Sequence, residues 1–295
     1  MVSMAKPSPF RFSVIIPTFN RLESTQKAIL SVLDQTFPAE EIIVIDDGST
    51  DDSSQILSQQ YPNLKWIFQE NHGVSHARNQ GVENSNCNWI AFLDSDDTWE
   101  PTKLEKQVEF LQSRSGLSLC HTDENWIRNQ HPVKPPAYLD KSDANIFSQS
   151  LIRCIICPSS VVMQKSVFIE LGKFREDLAV CEDYDLWLRT IIGHKIGYLP
   201  EKLVTKYGGH QDQLSTRYWG MDRFRVQSLE ALLKNSVLQH DKRIQIIETL
   251  IQKLSLLAQG FSKHNKIDES NGFLEKKEVY KKLLEDILAQ SLPLV

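Results

Sequence analysis

The chain has 295 residues, 41% hydrophobic and 24% charged, which is typical of a globular protein and excludes a largely disordered one. Its net charge of −5 argues against nucleic acid as a partner, and no apolar run is long enough to span a bilayer. Residues 1–9 lack the apolar centre of a signal peptide, and five cysteines spread along the chain indicate reduced thiols and a cytoplasmic protein.

The first part of the chain repeats a strand, a polar turn and a helix at intervals of about 30 residues, as βαβ units do. Residues 12–16 and 41–45 are short apolar runs that predict buried strands. The helices that follow are indicated by apolar residues at helical spacing, namely Ala28, Ile29, Val32 and Leu33, then Ile56 and Leu57. We therefore expect the polar residues after each strand to meet at one edge of a parallel sheet.

The apolar run 89–93 predicts an interior strand, and three aspartates follow it directly at Asp94, Asp96 and Asp97. Clustered carboxylates repel one another unless a cation lies between them. Mg²⁺ or Mn²⁺ together with phosphate oxygens is the usual solution. The residues alone therefore predict a site for a metal and a nucleotide at this edge of the sheet.

Other segments complete the expected α/β pattern. Strands are predicted at 63–69, 117–121, 159–163 and 203–207, and helices at 73–83, 102–113 and 165–171. Residues 128–150 contain three prolines and few apolar residues, so we expect a long loop there. Cys154 and Cys157 have no second cysteine pair near them, which favours packing in the core over a metal or redox site.

From Gly220 onward the pattern is helical only, with three amphipathic segments. Three such helices have no large core of their own, so we expect them to cover the preceding part of the chain or a second copy of it. The last segment carries lysines interspersed with glutamates, which favours a solvent-exposed face over contact with lipid headgroups.

Four segments together resemble the family 2 glycosyltransferases in order and in spacing. They are the runs 13–21 (SVIIPTFNR), 45–51 (IDDGSTD), 71–81 (NHGVSHARNQG) and 92–97 (FLDSDD). The resemblance is specific over residues 12–115, looser over 155–215 and absent after about 220. It implies a GT-A fold of the α/β class, with a mostly parallel central sheet flanked by helices and a Rossmann-like nucleotide-binding half. We expect this catalytic domain at 1–218 and an all-helical extension at 219–295.

The resemblance also implies an inverting glycosyltransferase that uses a nucleotide-diphosphate sugar, with a UDP-sugar expected, and Mg²⁺ or Mn²⁺. The residues that the resemblance implies for binding the donor are Pro17, Thr18, Asn20, Arg21, Asp47, Arg78, Asp94 and Ser95. Of these, Asp47 is expected to accept a hydrogen bond from the base, and Arg78 to complement the charge of the diphosphate. The metal is assigned to Asp96, with Asp94 or Asp97 nearby and His210 on a loop beside it. Gln213 and Ser215 are secondary candidates on that loop.

An acidic pair, Glu182 and Asp183, starts a predicted helix at 181–189. Acidic residues cap helices favourably, and a carboxylate there can also accept a proton from an acceptor hydroxyl. In family 2 enzymes the pair at this place supplies the general base. The resemblance therefore implies Asp183 as the base, with Glu182 as the alternative or as a contact to the acceptor.

The sequence lacks the motifs of two other classes of nucleotide-binding enzyme. The chain has no Gly-x-Gly-x-x-Gly after its first strand, which argues against a dinucleotide-dependent oxidoreductase. The segment 17–21 has no glycine, which argues against a sugar nucleotidyltransferase. A non-catalytic nucleotide-sugar binding or scaffold protein stays open. For an enzyme, we expect a saccharide or lipid-linked saccharide acceptor in cell-surface polysaccharide synthesis, at the inner face of the membrane, with a homodimer through the C-terminal helices as a further expectation.

Overall fold

The computed structural model describes residues 9–135, 141–142, 145–209, 218–235 and 238–290. The strands are β1 (Phe12–Thr18), β2 (Glu41–Asp46), β3 (Lys65–Phe68), β4 (Trp89–Phe92), β5 (Asp97–Trp99), β6 (Leu119–Arg128), β7 (His131–Val133), β8 (Val162–Gln164) and β9 (Ile196–Gly208). The helices are α1 (Leu22–Leu33), α2 (Ser53–Gln60), α3 (Val74–Glu83), α4 (Lys103–Ser113), α5 (Ile146–Ile152), α6 (Lys165–Glu170), α7 (Glu182–Gly193), α8 (Asp222–Leu233), α9 (His240–Lys263) and α10 (Ile267–Gln290).

The first four strands form the parallel half of the sheet, in the order β3-β2-β1-β4. In the register of these strands, Thr18 lies opposite Asp46, and Ile15 lies opposite Phe92. The polar residues that follow β1, β2 and β4 therefore lie at the same edge, because parallel strands end together. This confirms the convergence that the sequence predicted.

The second half of the sheet is mixed and continues the order as β8-β6-β9-β5. Strand β8 runs antiparallel to both of its neighbours, β4 and β6, whereas β6 and β9 are parallel. Strand β5 pairs antiparallel with β9, and β7 forms a hairpin with the end of β6. The expected α/β architecture with a parallel nucleotide-side half is thus confirmed.

Two expected segments differ in detail. The strand expected at 159–163 begins only at Val162, because Pro158–Ser160 forms a 3₁₀ turn. Proline fixes its own φ and has no N–H to donate to a neighbouring strand, which favours a turn at this point, so the strand starts later than expected. The segment 128–150 is not one long loop, since β7 and most of α5 lie within it.

Apolar residues of the sheet pack on helices at both of its faces. One cluster joins β1, β2 and β4 to α1 and α4, and the other joins them to α3, α6 and α7. Two of the apolar residues whose spacing indicated α1 and α2, Leu33 and Ile56, are about half exposed, at 51% and 47%. The buried faces run through Ala28, Ile29 and Val32, and through Leu57, and a residue next to such a position points about 100° away from it.

The helical segment packs on the preceding part of the chain. Side chains of α8 and α9 form one apolar cluster with Leu151 of α5 and with Tyr184 and Leu188 of α7. Of the two coverings expected for these helices, the structure therefore confirms the one within the chain for α8 and α9. Helix α10 leaves Leu283 and Leu288 38% and 47% exposed. The separation into units 1–218 and 219–295 stays a prediction. Among the described residues, no helix is long and apolar enough to cross a membrane.

Candidate active site

Nine of the sequence-predicted residues line one cavity of about 270 Å³ at the edge where β1 and β4 end. Its walls include Pro17, Arg21, Arg78, Asp94, Ser95, Asp96, Asp97, Glu182 and Asp183. We call it the donor-side cavity. The structure thus brings together nine of the expected residues, drawn from segments far apart in the chain. His210, Gln213 and Ser215 lie outside the described residues.

Arg78 joins the two acidic parts of this cavity. It lies on α3, and this helix is held close to the sheet by Gly81, where a Cβ would come within 2.5 Å of a methyl of Ile15. One guanidinium nitrogen of Arg78 lies 2.6 Å from Asp94, and another lies 2.7 Å from Glu182. Burial alone would lower the pKa of Arg78, but the two carboxylates, Asp94 foremost, raise it well above the usual value. The side chain therefore remains a cation in a buried site.

Arg21 and Asp96 form a second ion pair, with 2.8 Å between Nη1 and Oδ2. Both side chains are about one-fifth exposed, so the pair lies nearer to solvent than Arg78 does. Arg21 comes from the turn after β1, and Asp96 from the turn after β4. Two candidate donor and metal residues thus neutralise each other.

Asp97 is the most buried carboxylate of the acidic run, with 3% of its surface exposed. Its Oδ2 accepts a hydrogen bond of 2.6 Å from the hydroxyl of Ser159, and its Oδ1 one of 3.4 Å from the backbone N–H of Tyr207. Burial raises the pKa of Asp97 to about 8, with a further contribution from the charges of Asp96 and Asp94, although Lys206 opposes the shift. A charged carboxylate here would need a cation close to it.

The donor atoms present fit a divalent cation. Ligand atoms of Asp94, Asp97 and Cys157 all lie within 4.8 Å of one another. Burial raises the pKa of the Cys157 thiol far above its usual range, so the sulfur stays protonated. Carboxylate oxygens are the ligands that Mg²⁺ and Mn²⁺ prefer. The oxygens of the aspartates, and not the sulfur, therefore form the plausible ligand set.

The remaining donor candidates hold the loops at the sheet edge. Asp47 accepts hydrogen bonds from the backbone N–H groups of His72 and Gly73 and from the side chain of Gln69, at 2.7–2.9 Å. Asn20 has a left-handed backbone with φ of 51°, and its side chain accepts a hydrogen bond of 2.7 Å from the N–H of Thr50. The expected contact of Asp47 with a base would therefore be made by a carboxylate that already orders a loop.

A further candidate, Thr18, shares a hydrogen bond of 2.6 Å with Thr25 inside the molecule. Thr18 is 3% exposed, so its hydroxyl supports the turn between β1 and α1 from within. It does not line the donor-side cavity.

The acidic pair begins α7, directly after Cys181, whose backbone is left-handed with φ of 65°. Glu182 points inward to Arg78, and Oδ1 of Asp183 accepts a hydrogen bond of 2.7 Å from the N–H of Tyr184. Burial, with help from the charge of Asp183, raises the pKa of Glu182 to about 7 although Arg78 opposes the shift. The two neighbours thus occupy different environments, since Glu182 is paired with the buried Arg78 whereas Asp183 has no such cation assigned to it among the described residues and lines a cavity wall.

A second cavity of about 560 Å³ adjoins the first, and we call it the tail-side cavity. Both cavities are lined by Pro158, Asp183 and Lys206. Lys206 on β9 and Ser159 were missed in the sequence, because nothing local to either residue marks it. They reach the site only through the antiparallel pairing of β5 with β9 and through the turn before β8.

Comparisons with known proteins identify the family to which the chain belongs. Residues 13–172 match the profile of Glycosyl transferase family 2. TuaG of Bacillus subtilis, named as a teichuronic acid biosynthesis glycosyltransferase, is 44% identical over 218 residues, which cover 70% of this chain and 82% of TuaG. A glycosyltransferase of Rickettsia conorii, RC0461, is 31% identical over 70% of the chain, and the match spans only 35% of its own length.

Two solved structures share the fold. TarS of S. aureus, residues 1–349 in complex with UDP-GlcNAc, superposes with a TM-score of 0.67 at 17% identity and covers 92% of each chain. The second is the mannosyltransferase PcManGT of Pyrobaculum calidifontis in complex with GDP-Man and Mn²⁺. It superposes with a TM-score of 0.58 at 16% identity, and the match covers 97% of this chain and 87% of the PcManGT chain.

Proposed function

Because the chain belongs to glycosyl transferase family 2, we propose that it is a glycosyltransferase that moves a sugar from a nucleotide-diphosphate donor to a hydroxyl acceptor with inversion. The observation that carries the proposal is the position of Asp183. Its side chain lines both the donor-side and the tail-side cavity. A general base for this reaction must contact the acceptor hydroxyl and lie next to the anomeric carbon of the donor, so a shared wall is the place for it.

The donor is proposed to be a UDP-sugar, in line with the UDP-GlcNAc complex of the structural neighbour TarS. GDP-sugars are the alternative, since a second neighbour was solved with GDP-Man. The name of TuaG supports an acceptor that is a saccharide or lipid-linked saccharide in cell-surface polysaccharide synthesis. A cytoplasmic location at the inner face of the membrane, and a homodimer through the C-terminal helices, stay predictions.

The proposed reaction uses the residues in distinct roles. Asp183 accepts the proton of the acceptor hydroxyl, and the freed oxygen forms a bond to the anomeric carbon on the face opposite the diphosphate. The bond between that carbon and the diphosphate oxygen breaks, and its electron pair leaves with the diphosphate. Inversion follows because attack and departure are in line. Arg78 positions the site by holding Asp94 and Glu182.

A divalent cation, Mg²⁺ or Mn²⁺, held by Asp94 and Asp97 with Asp96 beside them, would neutralise charge that develops on the leaving diphosphate. Asp96 becomes available to it once Arg21 turns away. Arg21 can then contact the diphosphate, since a guanidinium pairs with phosphate oxygens as well as with carboxylates.

The alternative function is that of a non-catalytic nucleotide-sugar binding or scaffold protein. It would need the donor-side residues but not a base on the wall between the cavities. The presence of Asp183 there, in addition to the acidic run at Asp94, favours the enzyme.

The two functions are separated by measuring binding and turnover in the same protein. Turnover is followed as release of nucleotide diphosphate from a panel of UDP- and GDP-sugars with alkyl glycosides as acceptors. In Asp183→Asn we expect turnover to fall by about 10²- to 10⁴-fold while nucleotide affinity is kept. The control is Asp177→Asn, which changes an exposed carboxylate outside both cavities. Full turnover in Asp183→Asn would exclude this residue as the base, and binding without turnover for every donor would favour the scaffold.

A further inference from the structure

The tail-side cavity extends from the candidate active site to the C-terminal helices. At one end it shares Asp183 and Lys206 with the donor-side cavity. At the other end it shares Asp222, Arg225 and Leu256 with a third, smaller cavity that lies wholly against α8, α9 and the residues before α8. The helical segment therefore builds one end of a cavity whose other end holds the proposed base.

The end built by the helical segment is rich in cations. Arg153, Arg225 and Lys253 line it, and Asp222 is the carboxylate among them. Asp222 lies 2.9 Å from Nη1 of Arg225 and 3.0 Å from Nζ of Lys253, so a single acidic side chain is shared by two basic ones. The Nε of Arg225 is buried and has no hydrogen-bond partner within the part of the chain that the structure describes. A buried Nε is out of reach of a ligand, but 21% of the Arg225 side chain is exposed, so another part of it can contact an anion in the cavity.

The opposite end has no such excess of basic side chains. Asp183 and Glu124 line it, with Lys206 as the basic side chain. Glu124 accepts a hydrogen bond of 3.3 Å from the indole N–H of Trp126, whose ring forms part of the wall. Glu124 is also paired with Lys141, at 2.8 Å between Oε2 and Nζ, so the charges at this end are balanced. The excess of basic side chains lies where the helical segment closes the cavity.

We propose that this cavity binds an acceptor saccharide carrying an anionic group, a carboxylate or a phosphate, which lies against Arg225 and Lys253. The proposal rests on the glycosyltransferase function given above and adds the chemical class of the acceptor. Hydrogen bonds between a guanidinium and an anion are about twice as strong as neutral ones, and the partly buried position limits screening. With its anion fixed there, such an acceptor presents a hydroxyl toward Asp183 at the other end.

The test compares three small probes by saturation-transfer NMR titration on the full chain with Mg²⁺ present, since Mg²⁺ is diamagnetic. They are methyl β-D-glucoside, methyl β-D-glucuronide and glucose 1-phosphate, which are neutral or carry a carboxylate or a phosphate. We expect at least one charged probe to bind about tenfold more tightly than the glucoside, and the preferred one identifies the anion. In Arg225→Gln this preference should disappear. The matched control is Arg223→Gln, on the same helix but outside the tail-side cavity, which should keep it.

Equal affinity for the three probes, or no binding of any of them, would overturn the proposal, as would a preference that survives in Arg225→Gln. If that variant does not fold, as judged by its melting curve, Arg153→Gln makes the same comparison from the residue that follows α5. Titrations of the same samples with UDP and GDP keep the two proposals apart. Failure of both nucleotides to bind contradicts the donor site, whereas equal probe affinities with intact nucleotide binding contradict only the anionic acceptor.

Discussion

Arg21 and Asp96 form an ion pair of 2.8 Å at the sheet edge where the metal is proposed to bind. A cation approaching Asp96 must compete with the guanidinium that is already there, since two positive charges near one carboxylate repel each other. We predict that Arg21→Gln binds Mn²⁺ alone several-fold more tightly than the unaltered protein. Isothermal titration in the absence of nucleotide measures this directly.

Nucleotide binding provides the counterpart of that measurement. Because Asp94, Asp96 and Asp97 repel a diphosphate, UDP or GDP should bind with Mn²⁺ and much more weakly in EDTA. In Arg21→Gln, nucleotide affinity should fall, as a contact to the diphosphate is lost. An unchanged Mn²⁺ affinity in Arg21→Gln would contradict the competition between Arg21 and the metal for Asp96. Equal nucleotide affinity with Mn²⁺ and in EDTA would contradict the proposal that a metal is needed for nucleotide binding.

The second prediction concerns Arg78 as a structural centre of the site. Replacing it by glutamine leaves Asp94 and Glu182 without their shared cation in a buried place. We expect Arg78→Gln to lower the free energy of unfolding by about 3–5 kcal/mol, as for a buried pair that loses one partner. Urea denaturation followed by circular dichroism measures it.

Its matched control is Arg11→Gln, because Arg11 pairs with Glu40 at a position that is about half exposed. Exposed pairs contribute little, so the unfolding midpoint of this variant should stay close to that of the unaltered protein. An equal loss in the free energy of unfolding for the two variants would contradict the prediction that burial makes the Arg78 ion pairs more important for stability than the Arg11 pair.

The third prediction follows from the pKa of Glu182, which lies at about 7 against an ordinary 4.5. A carboxyl with a raised pKa holds its proton more tightly in the folded state. Its stabilising contribution is therefore complete below pH 4.5 and is lost as the pH rises through about 7. Glutamine does not titrate, so Glu182→Gln does not lose stability in this way. The free energy of unfolding of the variant minus that of the unaltered protein should therefore rise by on the order of 2 to 3 kcal/mol from about pH 5 to about pH 8.

Denaturation at a series of pH values checks the trend, with Glu109→Gln as the control on the exposed face of α4. The control should show no such change in relative stability. A relative stability of Glu182→Gln that stays flat, or that falls with rising pH, would contradict the raised pKa.

The fourth prediction concerns the helical segment. Leu250 of α9 is fully buried in the cluster shared with α5 and α7, whereas Leu288 of α10 is 47% exposed. Leu250→Ala should lower the free energy of unfolding by about 2–5 kcal/mol, through lost burial and a residual cavity. Leu288→Ala should change it little. If the helical segment shares a core with the rest of the chain, the protein unfolds in one transition. Two separate unfolding transitions, with only one of them shifted by Leu250→Ala, would contradict the shared core.

Much of the donor side could be predicted from the sequence, because its residues sit in local patterns. Short apolar runs predicted β1, β2 and β4, and the rule that parallel strands end at one edge placed the residues after them together. The same rule brought Arg21 near Asp96. The parallel register observed between β1 and β4 is what makes that reasoning succeed.

The rest depends on contacts between distant segments, which no local pattern encodes. Ser159 reaches Asp97 because a 3₁₀ turn precedes β8, and Lys206 arrives through the pairing of β9 with β5. The basic end of the tail-side cavity needs Arg153, directly after α5, together with Lys253 of α9, about 100 residues later. The sequence predicted amphipathic helices here, and their charged residues carried no sign of a shared cavity.

The apolar cluster between α7 and the last helices also has a consequence for biosynthesis. A ribosome releases the chain from its N-terminal end, so Leu151, Tyr184 and Leu188 emerge well before Leu229, Leu250 and Leu254, which cover them. During that interval the face of α7 opposite the sheet is bare, although the parallel half of the sheet is already complete. The helix that carries Glu182 and Asp183 therefore acquires its final support late in translation. A nascent chain that stalls before α9 would hold the donor-side residues and yet expose the apolar surface that chaperones recognise.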